Sequence, residues 1–98
     1  MPPFWSLGWH AASGEYLTQA DVEAVVHSYD LSDIPLEGIW IDLAYMAENM
    51  DFKVNTTSFP TLKNMTLDLQ AAGQRVVVMV DSGLRSADPQ NSYYSQAV

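Results

Sequence analysis

The sequence contains no cysteine, few basic side chains and no long apolar run. Without cysteine, the 98-residue chain forms neither disulfides nor thiolate metal sites, and its redox compartment stays open. No apolar run reaches the ~18 to 20 residues that a membrane-spanning helix needs. A Gly-rich phosphate loop, a histidine cluster with metal-ligand spacing and a Gly-x-Ser-x-Gly elbow are also absent. We therefore expect no cofactor, no metal site and no membrane partner.

Positive charge is scarce as well. Four Lys and Arg residues stand against twelve Asp and Glu residues, and the formal net charge is −8. Such a chain repels phosphate backbones, so we expect no nucleic acid as a partner. The hydrophobic fraction of 48% is that of a globular chain, and the length fits one small domain.

Three segments have the pattern of strands. An aromatic and apolar segment near 4–9 predicts the first, and a run near 38–42 predicts the second. The near-continuous apolar run near 75–81 is typical of a parallel strand buried on both faces. Residues 44–58 are expected to be a long loop. The chain beyond Asp81 is expected to be an irregular polar tail.

Two segments have the pattern of helices. The first is predicted near 18–29, where Thr18 and Asp21 have the spacing of a capping box. The second is predicted near 60–72, and Gly73 is placed to end it. The resulting order over the whole chain is β-α-β-α-β, which is typical of an α/β domain with parallel strands and helical crossovers.

This order fits two architectures. The strands are either the first three of a (β/α)8 TIM barrel or a small open parallel sheet, and periodicity does not separate the two. Because three strands cannot close a barrel, we expect an open sheet edge.

Two carboxylates, Asp42 and Asp81, each stand at the C-terminal end of a predicted strand, beside Trp40 and Met79. Ligands bind at the carboxyl edge of such strands in both architectures, so these residues are candidate ligand contacts. Aspartate also ends strands because it starts turns and caps helices, and that interpretation stays open. His10, at the end of the first predicted strand, is either a ligand contact or a histidine satisfied within the structure.

Tryptophans and sequons add weaker signals. Trp9 and Trp40 are candidate sugar-stacking residues or packing residues between strand and helix. The sequons at Asn55 and Asn64 are possible N-glycosylation sites, and they favour a protein of the secretory pathway. The N-terminus lacks the basic and apolar regions of a signal peptide, so we expect any signal to lie upstream.

Four blocks of the sequence carry a resemblance to a known family. They are FWSLGWH at 4–10, DIPLEGIWIDLAYM at 33–46, Asp51-Phe52 followed by Phe59-Pro60, and GQRVVVMVD at 73–81. Together they resemble the first three barrel strands of glycoside hydrolase family 31, the α-glucosidase family. The second block resembles its Trp-x-Asp-x-Asp-Tyr-Met signature. The resemblance covers nearly the whole chain with the family's own spacing.

The resemblance implies a (β/α)8 barrel that cleaves terminal α-linked glucose with retention, using two aspartates on later strands. No catalytic residue is therefore expected in this chain. Asp42 matches the carboxylate that holds sugar hydroxyls at the cleavage point, and Met79 matches an apolar position of the same subsite. The implied partners are an α-glucoside or oligosaccharide substrate and the remainder of the barrel, in the same or another chain.

Several positions depart from the family pattern. Where the family usually has Arg-Trp-Gly-Tyr, this chain has Ser13-Gly14-Glu15-Tyr16, and Ala44 and Ala47 replace acidic residues. These changes remove hydrogen-bonding groups near the pocket entrance. Three hypotheses follow: a piece of a larger family 31 hydrolase, a non-catalytic or truncated relative with a carbohydrate-binding or scaffold role, or an unrelated small α/β binding domain.

Overall fold

A computed structural model describes residues 1–86 and 92–97. Within them lie β1 His10–Ser13, α1 Gln19–Leu31, β2 Gly38–Ile41, α2 Leu62–Ala71, β3 Arg75–Val78 and α3 Ser92–Ala97. Short 3-10 turns occupy Phe4–Leu7, Leu43–Tyr45 and Ala47–Asn49. None of the helices in this part of the chain is long and apolar enough to cross a bilayer.

The strands form one parallel sheet in the order β1-β2-β3. His10 pairs with Gly38 between β1 and β2, and Gly38 pairs with Arg75 between β2 and β3. A helix connects each strand to the next, as the α/β class predicts. The outer edges of β1 and β3 carry no strand partner within the described residues.

The first strand lies later in the chain than the predicted segment 4–9. Phe4–Leu7 instead forms a 3-10 turn, in which the Pro3 carbonyl accepts hydrogen bonds from the backbone nitrogen and the hydroxyl of Ser6. Parallel pairing begins only at His10. The aromatic and apolar composition of this segment favoured a strand. The residues directly after the prolines instead form a local turn, and strand pairing begins only further along the chain.

The two long helices begin and end for local reasons. At the start of α1, the Thr18 side chain accepts from the Asp21 backbone nitrogen and the Asp21 side chain accepts from the Thr18 backbone nitrogen, which is the predicted capping box. After α2, Gly73 takes a φ of +84°, which glycine adopts without steric cost. Val22 of α1 and Met65 of α2 are buried, so both helices contribute to the core.

Strand β3 is more exposed than its apolar run predicted. Val76 and Val77 are half-buried, whereas Val78 is 41% and Met79 is 42% exposed. The prediction of a strand buried on both faces was wrong within the described residues, where β3 lies at the edge of the sheet and the core lies on one side of it.

The segment between β2 and α2 is a packed loop rather than an open one. Met46 and Val54 form an isolated antiparallel bridge. Met46, Met50 and Phe59 are each at most 4% exposed. The loop therefore belongs to the core, although no helical or strand period marks it.

The chain beyond Asp81 was predicted to be irregular throughout, and this was wrong for its last turns. Residues 92–97 form α3, and the Tyr93 ring lies 5.2 Å from the Phe52 ring, in an edge-on arrangement. Through this aromatic contact, the polar C-terminal segment packs against the loop between β2 and α2. The local composition of the segment does not indicate such a contact. Residues 87–91, which belong to the predicted tail, lie outside the described residues.

Candidate functional site

The two faces of the sheet have different roles. Side chains alternate between faces along each strand. The core beneath the helices takes up Ala11, Ile39, Ile41 and Val76. The alternate positions, His10, Ala12, Trp40 and Val77, therefore lie on the opposite face. Most of the candidate site residues belong to this second face or continue it beyond the strand ends.

Asp42 follows β2 directly, and its backbone stays extended. Its Oδ1 accepts a 2.6 Å hydrogen bond from the Leu43 nitrogen and so caps the 3-10 turn. Its Oδ2 lies towards Gly14, where an added Cβ would be 3.8 Å away. No other hydrogen bond engages this carboxylate within the described chain, so acceptor capacity remains for a ligand hydroxyl. Asp42 thus starts a turn and also offers a half-buried acceptor.

Met79 and Asp81 lie just beyond β3. The Met79 nitrogen donates to the Ile41 carbonyl at 3.0 Å, so the ladder continues one step past the strand. Because Ile41 pairs with Val78, the next step of the register brings Met79 beside Asp42. Asp81 is exposed, and its Oδ1 accepts from the Ser82 nitrogen at 2.8 Å.

His10 does not lie at the carboxyl edge, because it is the first residue of β1. Its Nδ1 accepts from the Trp40 indole nitrogen at 2.9 Å, and its Nε2 lies 3.2 Å from the Trp5 carbonyl oxygen. An indole N–H only donates, so Nδ1 is the unprotonated nitrogen and Nε2 carries the proton. Trp40 is 42% exposed on the same face as Asp42 and two residues before it, so His10 and Trp40 form a layer beneath the strand ends.

Sequence reasoning assigned no role to Tyr45 and Asp51, which are 6% and 4% exposed. The Tyr45 hydroxyl donates to the Met79 carbonyl at 2.6 Å, and Asp51 Oδ1 accepts from the Asp81 nitrogen at 3.0 Å. Burial first, and then the charge of Asp51, raise the pKa of Tyr45. No local pattern marks a buried carboxylate in a loop, and only the resemblance drew attention to these segments.

The positions that depart from the family pattern fall in different places. Gly14 lies next to Asp42, as described above, and Ser13 Oγ accepts from the Glu15 nitrogen at 3.1 Å. Ala44 instead packs against the hydrophobic core, and Ala47 is half-buried in the loop. The changes near the first strand therefore bear on the site more directly than the change at Ala44.

The two sequons differ in how their asparagines are engaged. Asn55 is half-buried, its Oδ1 accepts from the Thr57 and Ser58 nitrogens, and its Nδ2 donates to Ser58 Oγ. Asn64 lies exposed in α2. The amide nitrogen that a glycan would modify thus donates a hydrogen bond at Asn55, whereas Asn64 is an exposed residue.

The chain is similar to known glycosidases over its full length. The family described as the TIM-barrel domain of glycosyl hydrolases family 31 matches residues 1–98. The chain is 35% identical to alpha-glucosidase 2 of Bacillus thermoamyloliquefaciens over 98 residues, which is 100% of this chain and 12% of that protein. It is 38% identical to the lysosomal alpha-glucosidase of Mus musculus over 93 residues, which is 95% of this chain and 10% of that protein.

A solved structure extends this similarity to the fold. The endoplasmic-reticulum glucosidase II complex, which consists of a catalytic subunit and the binding domain of a regulatory subunit, matches with a TM-score of 0.88 and 26% identity. The match covers 94% of this chain and 10% of that chain. The three parallel strands thus have the fold of the first part of such a barrel. The chain spans only 10–12% of the length of these relatives.

Proposed function

Because the chain belongs to glycoside hydrolase family 31, we propose that it forms part of the sugar-binding floor of an α-glucosidase-type enzyme. The substrate is terminal α-linked glucose, and a retaining cleavage uses two carboxylates. Those carboxylates belong to the remainder of the barrel, in the same or another chain. In this proposal residues 1–98 are a partial catalytic barrel domain that binds the sugar and carries no catalytic residue.

The observation that supports this role is the position of Asp42 beside Met79. Both lie at the carboxyl edge of the sheet and continue the face opposite the hydrophobic core. A carboxylate with a free lone pair accepts sugar hydroxyls, and a neighbouring apolar side chain fits the carbon face of the ring. Asp81 extends the same edge from β3, and its exposed carboxylate is a second acceptor.

Trp40 and His10 support the floor from below. The indole lies one layer deeper than Asp42, and its N–H is already donated to His10. We therefore propose that the Trp40 ring packs against the sugar and makes no polar contact with it. His10 fixes the orientation of this indole and does not itself reach the carboxyl edge.

A second candidate function is that of a non-catalytic relative that binds carbohydrate without cleaving it. The observation that favours it is Gly14, because an aromatic side chain at this position would lie next to Asp42. Without that side chain, the site keeps Asp42 and Asp81 as hydrogen-bond acceptors but has no aromatic side chain at position 14 to enclose the sugar. For either function, the exposed Asn64 and the lysosomal relative support a protein of the secretory pathway.

The experiment is hydrolysis of p-nitrophenyl α-glucoside by the complete polypeptide that carries these residues, compared with the isolated 98-residue chain. We expect the complete polypeptide to release p-nitrophenol and glucose as its α-anomer, as retention requires, and the isolated chain to show no turnover above buffer. Glucose binding without hydrolysis by the complete polypeptide would favour the second candidate. Neither binding nor hydrolysis would contradict both.

A further inference from the structure

Strand β3 ends directly before Met79 and Asp81, which we assign to the sugar-binding site. The last ladder bond joins the Met79 nitrogen to the Ile41 carbonyl. Residues 79–81, which we call the β3 extension, then run past the end of β2 and carry the Met79 and Asp81 side chains. Val80 within it is 54% exposed, so packing alone does little to fix this segment.

Two side chains of the loop between β2 and α2 form hydrogen bonds to the backbone of the β3 extension. The Tyr45 hydroxyl donates to the Met79 carbonyl at 2.6 Å, across 34 positions of sequence. Asp51 Oδ1 accepts from the Asp81 nitrogen at 3.0 Å, across 30 positions. One bond therefore engages the first residue of the β3 extension and the other engages the last.

The loop itself is built to hold these two groups. The Ala47 nitrogen donates to the Lys53 carbonyl at 2.8 Å, and the Asn55 nitrogen donates to the Tyr45 carbonyl at 2.7 Å. These bonds close the loop on both sides of Asp51. Tyr45 and Asp51 are 6% and 4% exposed, so burial favours their bonds to the backbone over bonds to water.

The electrostatic surroundings of Tyr45 agree with its role as a hydrogen-bond donor, and the charge of a carboxylate agrees with the role of Asp51 as an acceptor. Burial, and then the charge of Asp51, raise the pKa of Tyr45, so the hydroxyl keeps its proton and remains a donor. An ionised carboxylate accepts a backbone N–H more strongly than a neutral group does.

We propose that Tyr45 and Asp51 are positioning residues that hold the β3 extension, and so place Met79 next to Asp42 and fix the position of Asp81. The inference rests on the sugar-binding role proposed above. It adds that the geometry of the floor is set by a loop that does not itself face the sugar.

The test combines hydrogen exchange with kinetics in the complete polypeptide. Tyr45→Phe removes one bond, Asp51→Ala removes the other, and Asp51→Asn keeps an acceptor at the same place. We expect roughly tenfold faster exchange of the Asp81 amide in Asp51→Ala and partial rescue in Asp51→Asn, because one hydrogen bond to a charged group is lost or weakened. In Tyr45→Phe we expect KM to rise roughly three- to tenfold with kcat nearly unchanged.

Ser28→Ala is the matched control, because its hydroxyl also donates to one backbone carbonyl, that of Ala24 at 2.8 Å, but within helix α1. It should leave KM and the exchange of the β3 extension as in the wild type. If Asp51→Ala does not fold, Tyr45→Phe decides alone, with exchange of the β3 extension read beside KM.

Unchanged exchange of the β3 extension in the variants would overturn the inference, and so would faster exchange with a wild-type KM. A wild-type polypeptide that neither binds nor cleaves α-glucosides would instead overturn the proposed function, and with it the effect on sugar binding. The exchange data would then still show whether Tyr45 and Asp51 hold the β3 extension, so the two failures are distinguishable.

Discussion

The Trp40 indole nitrogen donates a 2.9 Å hydrogen bond to His10 Nδ1, although the strand partner of His10 is Gly38 and not Trp40. The imidazole reaches the indole by lying over Gly38, where an added Cβ would be only 2.6 Å from Nδ1. The imidazole can take this position because Gly38 has no side chain. The hydrogen bond links β1 to β2 on the face that we assign to the sugar.

Gly38→Ala tests this relationship. The added methyl group must displace the imidazole, so we expect the Trp40–His10 bond to break and the free energy of unfolding to fall by about 1 to 3 kcal/mol, as overpacking typically costs. Urea unfolding and the NMR signal of the Trp40 indole N–H report the two effects. Gly83→Ala is the control, because an added Cβ there meets nothing within 4 Å. Equal stability of the two variants would show that His10 is free to move aside.

Local signals in the sequence predicted the parts of the fold that local interactions determine. The capping box at Thr18 and the helix stop at Gly73 depend on neighbours within a few residues, and both occur as expected. The class of the sheet followed from the order of its elements. The position of Asp42 at the end of β2 could be predicted because it is itself a sequence feature, and its contact with sugar stays a prediction.

The remaining features depend on contacts between distant residues. The start of β1 at His10 is decided by pairing with β2, and the aromatic segment before it gave no sign of this. Tyr45 and Asp51 meet partners 34 and 30 positions away, so no spacing rule could identify them. The exposure of β3 likewise depends on which strands and helices lie beside it.

The raised pKa of Tyr45 predicts a loss of stability at alkaline pH. The unfolded chain ionises this phenol at its ordinary value of 10.0, whereas the folded chain holds the proton to higher pH. Above that value the unfolded state therefore binds fewer protons, and stability falls with a slope of up to ~1.4 kcal/mol per pH unit until the folded group ionises. Urea unfolding of the wild type and Tyr45→Phe between roughly pH 9 and 11 measures this contribution. The wild-type curve should fall more steeply, and parallel curves would contradict the assignment.

The isolated chain should be only marginally stable. Val78 of β3 and Val80 of the β3 extension are 41% and 54% exposed, and a domain of this size has only a few kcal/mol of stability to lose. We expect a low midpoint in a denaturant titration, or association on a sizing column through the open strand edges. A monomer with a cooperative transition at high denaturant would show instead that the 98 residues fold as a self-contained unit.

Asp42→Asn in the complete polypeptide tests whether Asp42 binds the sugar. Asparagine keeps the oxygen that accepts from Leu43, so the turn should survive and the unfolding midpoint should stay nearly unchanged. It removes the charge, and charge-assisted hydrogen bonds contribute ~1.5 to 3 kcal/mol each, so kcat/KM should fall roughly ten- to a thousandfold. Asp30→Asn, an exposed carboxylate of α1, is the control and should change neither quantity. A lower midpoint with a wild-type kcat/KM would mean that Asp42 only holds the turn and does not bind the sugar.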